Sequence, residues 1–175
     1  MKKLLIVAAF FFLVNVSKLS AQDPLDGLWQ GYDGEWRHVS NQLIALAEAT
    51  PADKFAWRPA PGVRSTSEVY MHIVLANFWL LSATGPNMPP DLKQESEKTV
   101  TSKPEVIAWL KRSLEAVKQA HLAADPKGMS RKVKVEGRDA TVDGMYLRII
   151  VHANEHMGQL VAYSRMNGIA PPWSK

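Results

Sequence analysis

Two of the five histidines have the spacing of a shared ligand site. His152 and His156 are four residues apart in a segment with helical periodicity, so both imidazoles lie on one helix face and can reach one metal ion. The local string also matches H-x-x-E-H, but that zinc-protease pattern requires a carboxylate from a downstream helix, and no acidic residue follows His156. The H-E-x-x-H motif is absent. His38 and His121 lack a partner at helical spacing, and we expect both to be structural or surface residues.

A third imidazole comes from an apolar segment earlier in the chain. The helical neighbours of His72 are Val69, Ile73, Ala76 and Trp79, so His72 faces inward or close to it. A buried imidazole without a partner would be costly, so His72 is either a hydrogen-bonded core residue or a ligand. Bundle cores build metal sites from inward groups on facing helices, and these three histidines could form such a site.

Three neutral imidazoles would leave coordination positions open for water or substrate. Such a set accepts Zn²⁺, Ni²⁺, Co²⁺, Mn²⁺ or Fe²⁺, and the ligands alone do not choose among them. The chain has no cysteine, so any metal must be held by nitrogen and oxygen. The metal would lower the pKa of a bound water or thiol and polarise a carbonyl. Common ligation requires the imidazole nitrogens to converge to about 3–4 Å of one another.

Four further residues lie close to the histidines by spacing. Gln159 could hydrogen-bond a ligand or a metal-bound water, or serve as a packing amide. Glu155 could sit near the site or be a solvated helix charge. Arg148, one turn before the histidine pair, could hold an anionic substrate or be a surface cation. Trp79 is a candidate pocket wall among six tryptophans that otherwise suggest packing.

Periodicity and punctuation predict four helices that would position these residues. The first runs from about Leu25 to Ala49. The second follows a capping box formed by residues 65–68 and reaches about Ala83. The third follows another capping box at residues 102–105 and ends before Asp125. The fourth begins near Asp139 or Thr141, runs to residue 167 and is closed by a glycine.

These four helices predict an all-α fold, a four-helix bundle, and the remaining segments are its connections. Residues 87–103 are a polar connection, whose length permits a topology other than simple up-and-down. Residues 132–137 alternate between polar and apolar side chains, so a short exposed strand or hairpin is expected between the third and fourth helices. We see no internal repeat and no linker, and residues 22–175 are expected to form one bundle domain.

The first 21 residues have the pattern of a signal peptide. Two lysines precede an apolar run from Leu4 to Val16, which is short for a membrane span, and cleavage after Ala21 is expected. An uncleaved anchor is the alternative. The whole chain has a net charge of +4, but residues 1–21 contain three lysines and no acid, leaving 18 basic and 17 acidic residues.

A mature net charge of +1 offers no basic stripe for nucleic acid. The lack of cysteine excludes disulfides and a lipid-anchored cysteine. We therefore expect an exported protein, periplasmic or extracellular, without a stable membrane anchor after cleavage.

Two segments carry a resemblance to the DinB family, also called the DinB/YfiT-like family. They are residues 58–72, RPAPGVRSTSEVYMH, and residues 152–172, HANEHMGQLVAYSRMNGIAPP. The resemblance covers essentially the whole mature chain. It implies a four-helix bundle, often dimeric, that holds a divalent metal through one histidine of the second helix and two of the last. The matching positions are His72, His152 and His156.

Three functions are compatible with these expectations. The first is a metal-dependent hydrolase or transferase acting on an unidentified small molecule. The second is a thiol-dependent S-transferase, since the family that the chain resembles includes mycothiol-dependent maleylpyruvate isomerase and bacillithiol transferases; export would separate the protein from the usual thiol cosubstrates. The third is a non-catalytic bundle whose histidines hold a structural ion or none.

Overall fold

Four long helices, one short helix, two single-turn 3-10 helices and one hairpin make up the regular structure of residues 31–174, the part of the chain that this computed structural model describes. The expected signal peptide and the expected helix start at Leu25 lie outside these residues. The elements are α1 (Gly31–Ala49), α2 (Thr66–Ser82), α3 (Ser96–Thr99), α4 (Lys103–Leu122), β1 (Lys132–Val135), β2 (Arg138–Thr141) and α5 (Val142–Met166).

The four long helices do not pack around the bundle in their sequence order. α1 packs against α4 and α5, and α2 packs against the same two helices. α1 and α2 therefore lie diagonally across the bundle, as do α4 and α5. The expectation of a four-helix bundle is confirmed, and its topology differs from a simple up-and-down order.

α2 is the most deeply embedded helix. Its sequence is apolar on almost every face, which is typical of a helix surrounded by others. α1 and α4 contribute narrower apolar stripes, and the Trp36 indole donates a hydrogen bond to the Leu114 carbonyl oxygen at 3.1 Å. The largest fully buried side chains include Trp36, Tyr70, Phe55, Leu43, Leu46, Met71 and Ile149.

The two predicted capping boxes have different outcomes. At α2, the Glu68 amide donates to the Ser65 hydroxyl at 3.3 Å, and the Ser65 amide donates to the Glu68 carboxylate at 2.8 Å, so the first box is confirmed. At α4 the second box is wrong, because the Ser102 side chain makes no capping bond to the backbone and instead approaches the Glu105 carboxylate at 3.5 Å. Lys103 fastens this helix start through hydrogen bonds to two backbone carbonyls at the end of α1.

Two of the connections between the long helices contain α-helical or strand structure, a hairpin in one and a short helix in the other. The hairpin expected between the last two long helices is confirmed, and its two-residue turn has positive φ at Glu136 (49°) and Gly137 (76°), the backbone of a type I′ turn. The polar connection after α2 contains α3, which was not predicted. α5 begins at a Thr141 cap and ends at Met166, and Gly168, with φ 73°, follows two residues later as the expected closing glycine.

None of the helices in residues 31–174 is both long and apolar enough to cross a bilayer.

Candidate metal centre

The packing of α2 against α5 brings the three predicted histidines together. The ring centroids of His152 and His156 are 4.6 Å apart, and that of His72 lies 5.1 Å and 4.7 Å from them. One nitrogen of each imidazole lies within 4.8 Å of the other two. This is wider than the about 3–4 Å expected for common ligation, so small side-chain rotations would be needed to close the three nitrogens on one ion.

The His72 ring is oriented by a carboxylate from the short helix α3. His72 Nδ1 lies 3.0 Å from one Glu97 oxygen, and Arg64 Nε donates to the other at 2.8 Å. Burial opposes the ionisation of Glu97, but the hydrogen bonds from Arg64 and His72 outweigh it and lower the pKa of the carboxyl. An ionised carboxylate can only accept, so His72 Nδ1 carries the proton and Nε2 keeps its lone pair.

The His156 ring is oriented by a relay along α5. Tyr163 donates its hydroxyl proton to the Arg64 backbone carbonyl at 3.1 Å. Its oxygen must then accept from Gln159 Nε2, which is 2.8 Å away, so the Gln159 carbonyl oxygen faces His156 Nδ1 at 2.9 Å. His156 Nδ1 is therefore protonated, and Nε2 is left as a free electron-pair donor.

His152 is the most buried of the three and supplies the test of fit to a metal. It is 9% exposed, and its Nδ1 is buried without a hydrogen-bond partner among the described residues. Burial, together with the neighbouring His156 and His72, lowers the pKa of His152 to about 4. A buried, neutral imidazole nitrogen without a partner is costly, and a bound cation would satisfy it. The donor set fits a divalent ion of the kind that imidazoles bind.

The turn before α2 is itself held in place. The Thr66 and Ser67 amides donate to the Trp57 and Phe55 carbonyl oxygens, each at 2.9 Å. The Trp57 ring also meets the Tyr163 ring edge-on, with centroids 5.3 Å apart. These contacts fix the path of the chain through Arg64. The Arg64 side chain hydrogen-bonds Glu97, which orients His72. The Arg64 backbone carbonyl accepts from Tyr163, which orients His156 through Gln159.

A cavity of about 320 Å³ opens beside two of the histidines. Trp79, 41% exposed, forms part of its wall, and Arg148 and Gln94 also line it. The other lining residues are His72, His152, Leu75, Ala76, Leu80 and Met88. A small molecule in this cavity would lie against the histidine cluster.

The other residues singled out by spacing have specific positions. Arg148 makes a bidentate ion pair with Glu155, at 3.0 Å and 3.1 Å, on the exposed side of α5. Glu155 hydrogen-bonds Arg148, and its charge also acts on the two cluster histidines of α5. His121 lies outside the cluster, half-enclosed on α4, with Nδ1 2.7 Å from Asp33. His38 lies on α1, also outside the cluster.

Sequence reasoning missed the roles of Glu97 and Arg64. Glu97 stands 25 residues after His72 in a segment without periodicity, so no spacing rule connects the two. The Tyr163 hydroxyl reaches the turn before α2, a contact 99 residues apart in sequence that no local pattern predicts. The sequence signal for these orienting groups was the three-residue spacing of His156 and Gln159, and in the structure these two side chains are hydrogen-bonded.

The fold and the cluster define a class of protein, the helical bundles with a three-histidine group that could hold a metal ion between two helices. A sequence model of the DinB superfamily matches residues 35–160, and the chain belongs to this superfamily. No curated protein matches the chain significantly.

Two solved structures are similar in fold. A DinB-like protein from Bacillus cereus ATCC 10987 superposes with a TM-score of 0.73 at 21% identity, covering 84% of this chain and 97% of its own. A DinB-like protein from Bacillus subtilis gives a TM-score of 0.63 at 19% identity, covering 78% of this chain and 91% of its own. At these identities the likeness establishes the bundle alone.

Proposed function

We propose that the protein binds one divalent metal ion through His72, His152 and His156 and uses it as a hydrolase or transferase acting on a small molecule. The observation that carries the proposal is the convergence of three imidazole nitrogens within 4.8 Å. Two of the rings present Nδ1 to an acceptor, which leaves Nε2 of each free for a metal. The third is held neutral by its surroundings.

A bound ion would supply Lewis-acid chemistry, lowering the pKa of a water or thiol and polarising a substrate carbonyl. The residues of the chain have separate tasks around it. Glu97 and Gln159 hold the Nδ1 protons of two ligands and so fix ring orientation. The apolar wall beside His72 excludes water from one side of a bound substrate. Three protein ligands leave at least one coordination position for a reacting group.

The cavity favours this proposal over a purely structural ion. A structural site is expected to be closed, with its coordination completed by protein groups. Here the space beside His72 and His152 is large enough for a small molecule, because ligand pockets begin at about 300 Å³. A small molecule could therefore reach a metal at the histidines and leave again, as a substrate must.

Metal analysis of untagged protein tests the binding step. We expect about one equivalent of a divalent metal in the wild-type protein and loss of most of it in the double variant His152→Ala/His156→Ala. His38→Ala is the matched control, because it removes a histidine of α1 outside the cluster. Unchanged stoichiometry in the double variant would refute the assignment.

Catalysis needs a separate measurement. Turnover of a panel of esters, amides and electrophiles is compared with and without added low-molecular-weight thiols, using protein loaded with each candidate metal. Thiol-independent turnover that disappears in the double variant would identify a hydrolase. Turnover only with thiol would identify the S-transferase alternative. Metal binding with no turnover in either condition would favour a non-catalytic bundle.

We also propose that the protein is exported and that it forms a homodimer. The support for export is the basic and apolar pattern of residues 1–21, and for dimerisation it is the resemblance to the family. N-terminal sequencing of protein recovered outside the cytoplasm tests the first, with a new N-terminus at Gln22 as the expected result. Light scattering after size exclusion tests the second.

A further inference from the structure

We infer that the cavity beside the histidines binds a small carboxylic acid with an apolar, flat body, with its acid group on Arg148. This inference rests on the proposed function, because it names the class of molecule that the metal would act on. It begins from the composition of the cavity lining. Arg148 is the sole lining residue among those described that carries a full charge at neutral pH, and no carboxylate lines the cavity.

The ion pair with Glu155 leaves Arg148 able to bind a second anion. A guanidinium has five N–H donors in a fixed fork, and the Glu155 carboxylate accepts from one on each of the two Nη atoms. Three donors remain, including Nε–H. The Arg148 side chain is 45% exposed, and its ion pair restricts its orientation beside the cavity that it lines. A planar carboxylate matches the remaining donors better than a neutral group does.

The apolar residues of α2 that line the cavity indicate the size and shape of the ligand's apolar part. His72 and Trp79 are seven residues apart on this helix, so the wall extends about 10 Å from the histidines. Leu75, Ala76 and Leu80 lie along this wall. Trp79 lines the cavity and is 41% exposed, so a ligand that covered the ring would bury additional apolar surface.

The position of the acid group follows from α5. Arg148 and His152 are separated by one helical turn, about 6 Å between their Cβ atoms. An acid group bound by Arg148 therefore leaves the rest of a short molecule within reach of the three histidines. The metal-facing end would carry the reacting group, and the body would cover Trp79.

Calorimetry with two matched probes tests the inference. The probes are 3-phenylpropionate and its neutral amide, 3-phenylpropanamide, titrated into metal-free protein and into zinc-loaded protein. We expect metal-free wild-type protein to bind the acid at least about tenfold more tightly than the amide, in line with hydrogen bonds to charged groups. Arg148→Gln should abolish that preference, and Trp79→Ala should weaken both probes.

Arg112→Gln is the matched control, because Arg112 is an exposed arginine paired with Asp91 and does not line the cavity. It should leave both affinities unchanged. Equal affinity for the two probes, no measurable binding of the acid, or a preference that survives Arg148→Gln would overturn the inference. Arg148→Lys keeps the charge without the planar fork and should retain part of the preference, which separates anion binding from a folding defect.

Metal-free protein makes the two proposals separable. If the wild-type protein binds no metal and still shows an acid preference that depends on Arg148, the ligand class is supported and the metal site is contradicted. Stoichiometric metal binding with equal affinity for acid and amide would support the metal site and contradict the ligand class.

Discussion

The Tyr163 hydroxyl donates a hydrogen bond to the backbone carbonyl of Arg64 at 3.1 Å, joining the last helix to the turn before the second. This bond fixes which way the Gln159 amide points and which nitrogen of His156 is protonated. The Arg64 guanidinium meanwhile holds Glu97 against His72. One residue therefore orients two of the three candidate ligands, through its backbone for one and its side chain for the other.

Tyr163→Phe should weaken metal binding without unfolding the protein. The substitution leaves the Arg64 carbonyl and the Gln159 amide without their partner, at a cost of about 1–3 kcal/mol in unfolding free energy. The Gln159 amide would then be free to rotate, so His156 Nδ1 would no longer be held protonated. We expect a severalfold rise in the dissociation constant for zinc, measured by competition with a chelator. Tyr32→Phe is the control, because its hydroxyl is buried without a hydrogen-bond partner among the described residues and should change neither quantity much.

Glu97→Ala should lower metal affinity by about 10–100-fold, the range seen for partners that orient metal-bound histidines. The His72 ring loses its acceptor at Nδ1, and Arg64 loses its carboxylate partner. Glu97→Gln should lose less, since an amide oxygen can still accept from His72 Nδ1. Glu95→Ala, an exposed glutamate two residues earlier, should have no effect. Equal affinities in the Glu97 and Glu95 variants would show that Glu97 has no positioning role.

The metal-free protein should become less stable as the pH falls from 6.5 toward 4. The pKa of His152 is lowered from 6.5 to about 4, because burial and the neighbouring imidazoles disfavour its charged form. In this window the unfolded chain binds the proton and the folded protein does not, so acidification favours unfolding. His152→Gln should flatten this part of the curve in urea unfolding at about pH 7.5, 6 and 4.5. His38→Gln is the control. The same slope in all three proteins would contradict the prediction.

Two glycine-to-alanine substitutions should shift stability in opposite directions. Gly137 has a φ of 76° in the hairpin turn, where a Cβ is strained, so Gly137→Ala should cost about 1–2 kcal/mol. Gly158 lies within α5 and a Cβ there would contact nothing, so Gly158→Ala should stabilise the protein by about 0.5–1 kcal/mol. Thermal unfolding of the zinc-free proteins measures both. A loss of stability in both variants would contradict the helical environment described for Gly158.

The histidine cluster could be predicted because it depends on helical spacing and on the periodicity of apolar residues, which are local sequence patterns. The four-residue step between His152 and His156 sets a shared helix face, and the apolar neighbours of His72 set its inward direction. The capping box at Ser65 and the hairpin turn followed from equally local patterns. These features depend on residues within about one or two turns of each other.

The groups that orient the cluster were not predictable in the same way. The contact between Glu97 and His72 depends on the path of an irregular connection that carries no periodic signal. The pairing of Arg148 with Glu155 spans seven residues, which is beyond the three- and four-residue spacings at which helix side chains are expected to pair. The failed cap at Ser102 shows a further limit, because a hydroxyl near a carboxylate can turn toward that side chain instead of the backbone.

The placement of the candidate ligands has a consequence for the order of folding. One candidate ligand, His72, lies on α2 and two, His152 and His156, lie on α5, and these helices contact each other in the folded bundle. An intermediate in which α5 is undocked would present one imidazole to a metal from α2, or two from a loose helix. A metal held by all three imidazoles would therefore report the docking of the C-terminal helix on α2, so the kinetics of metal capture during refolding would time that docking.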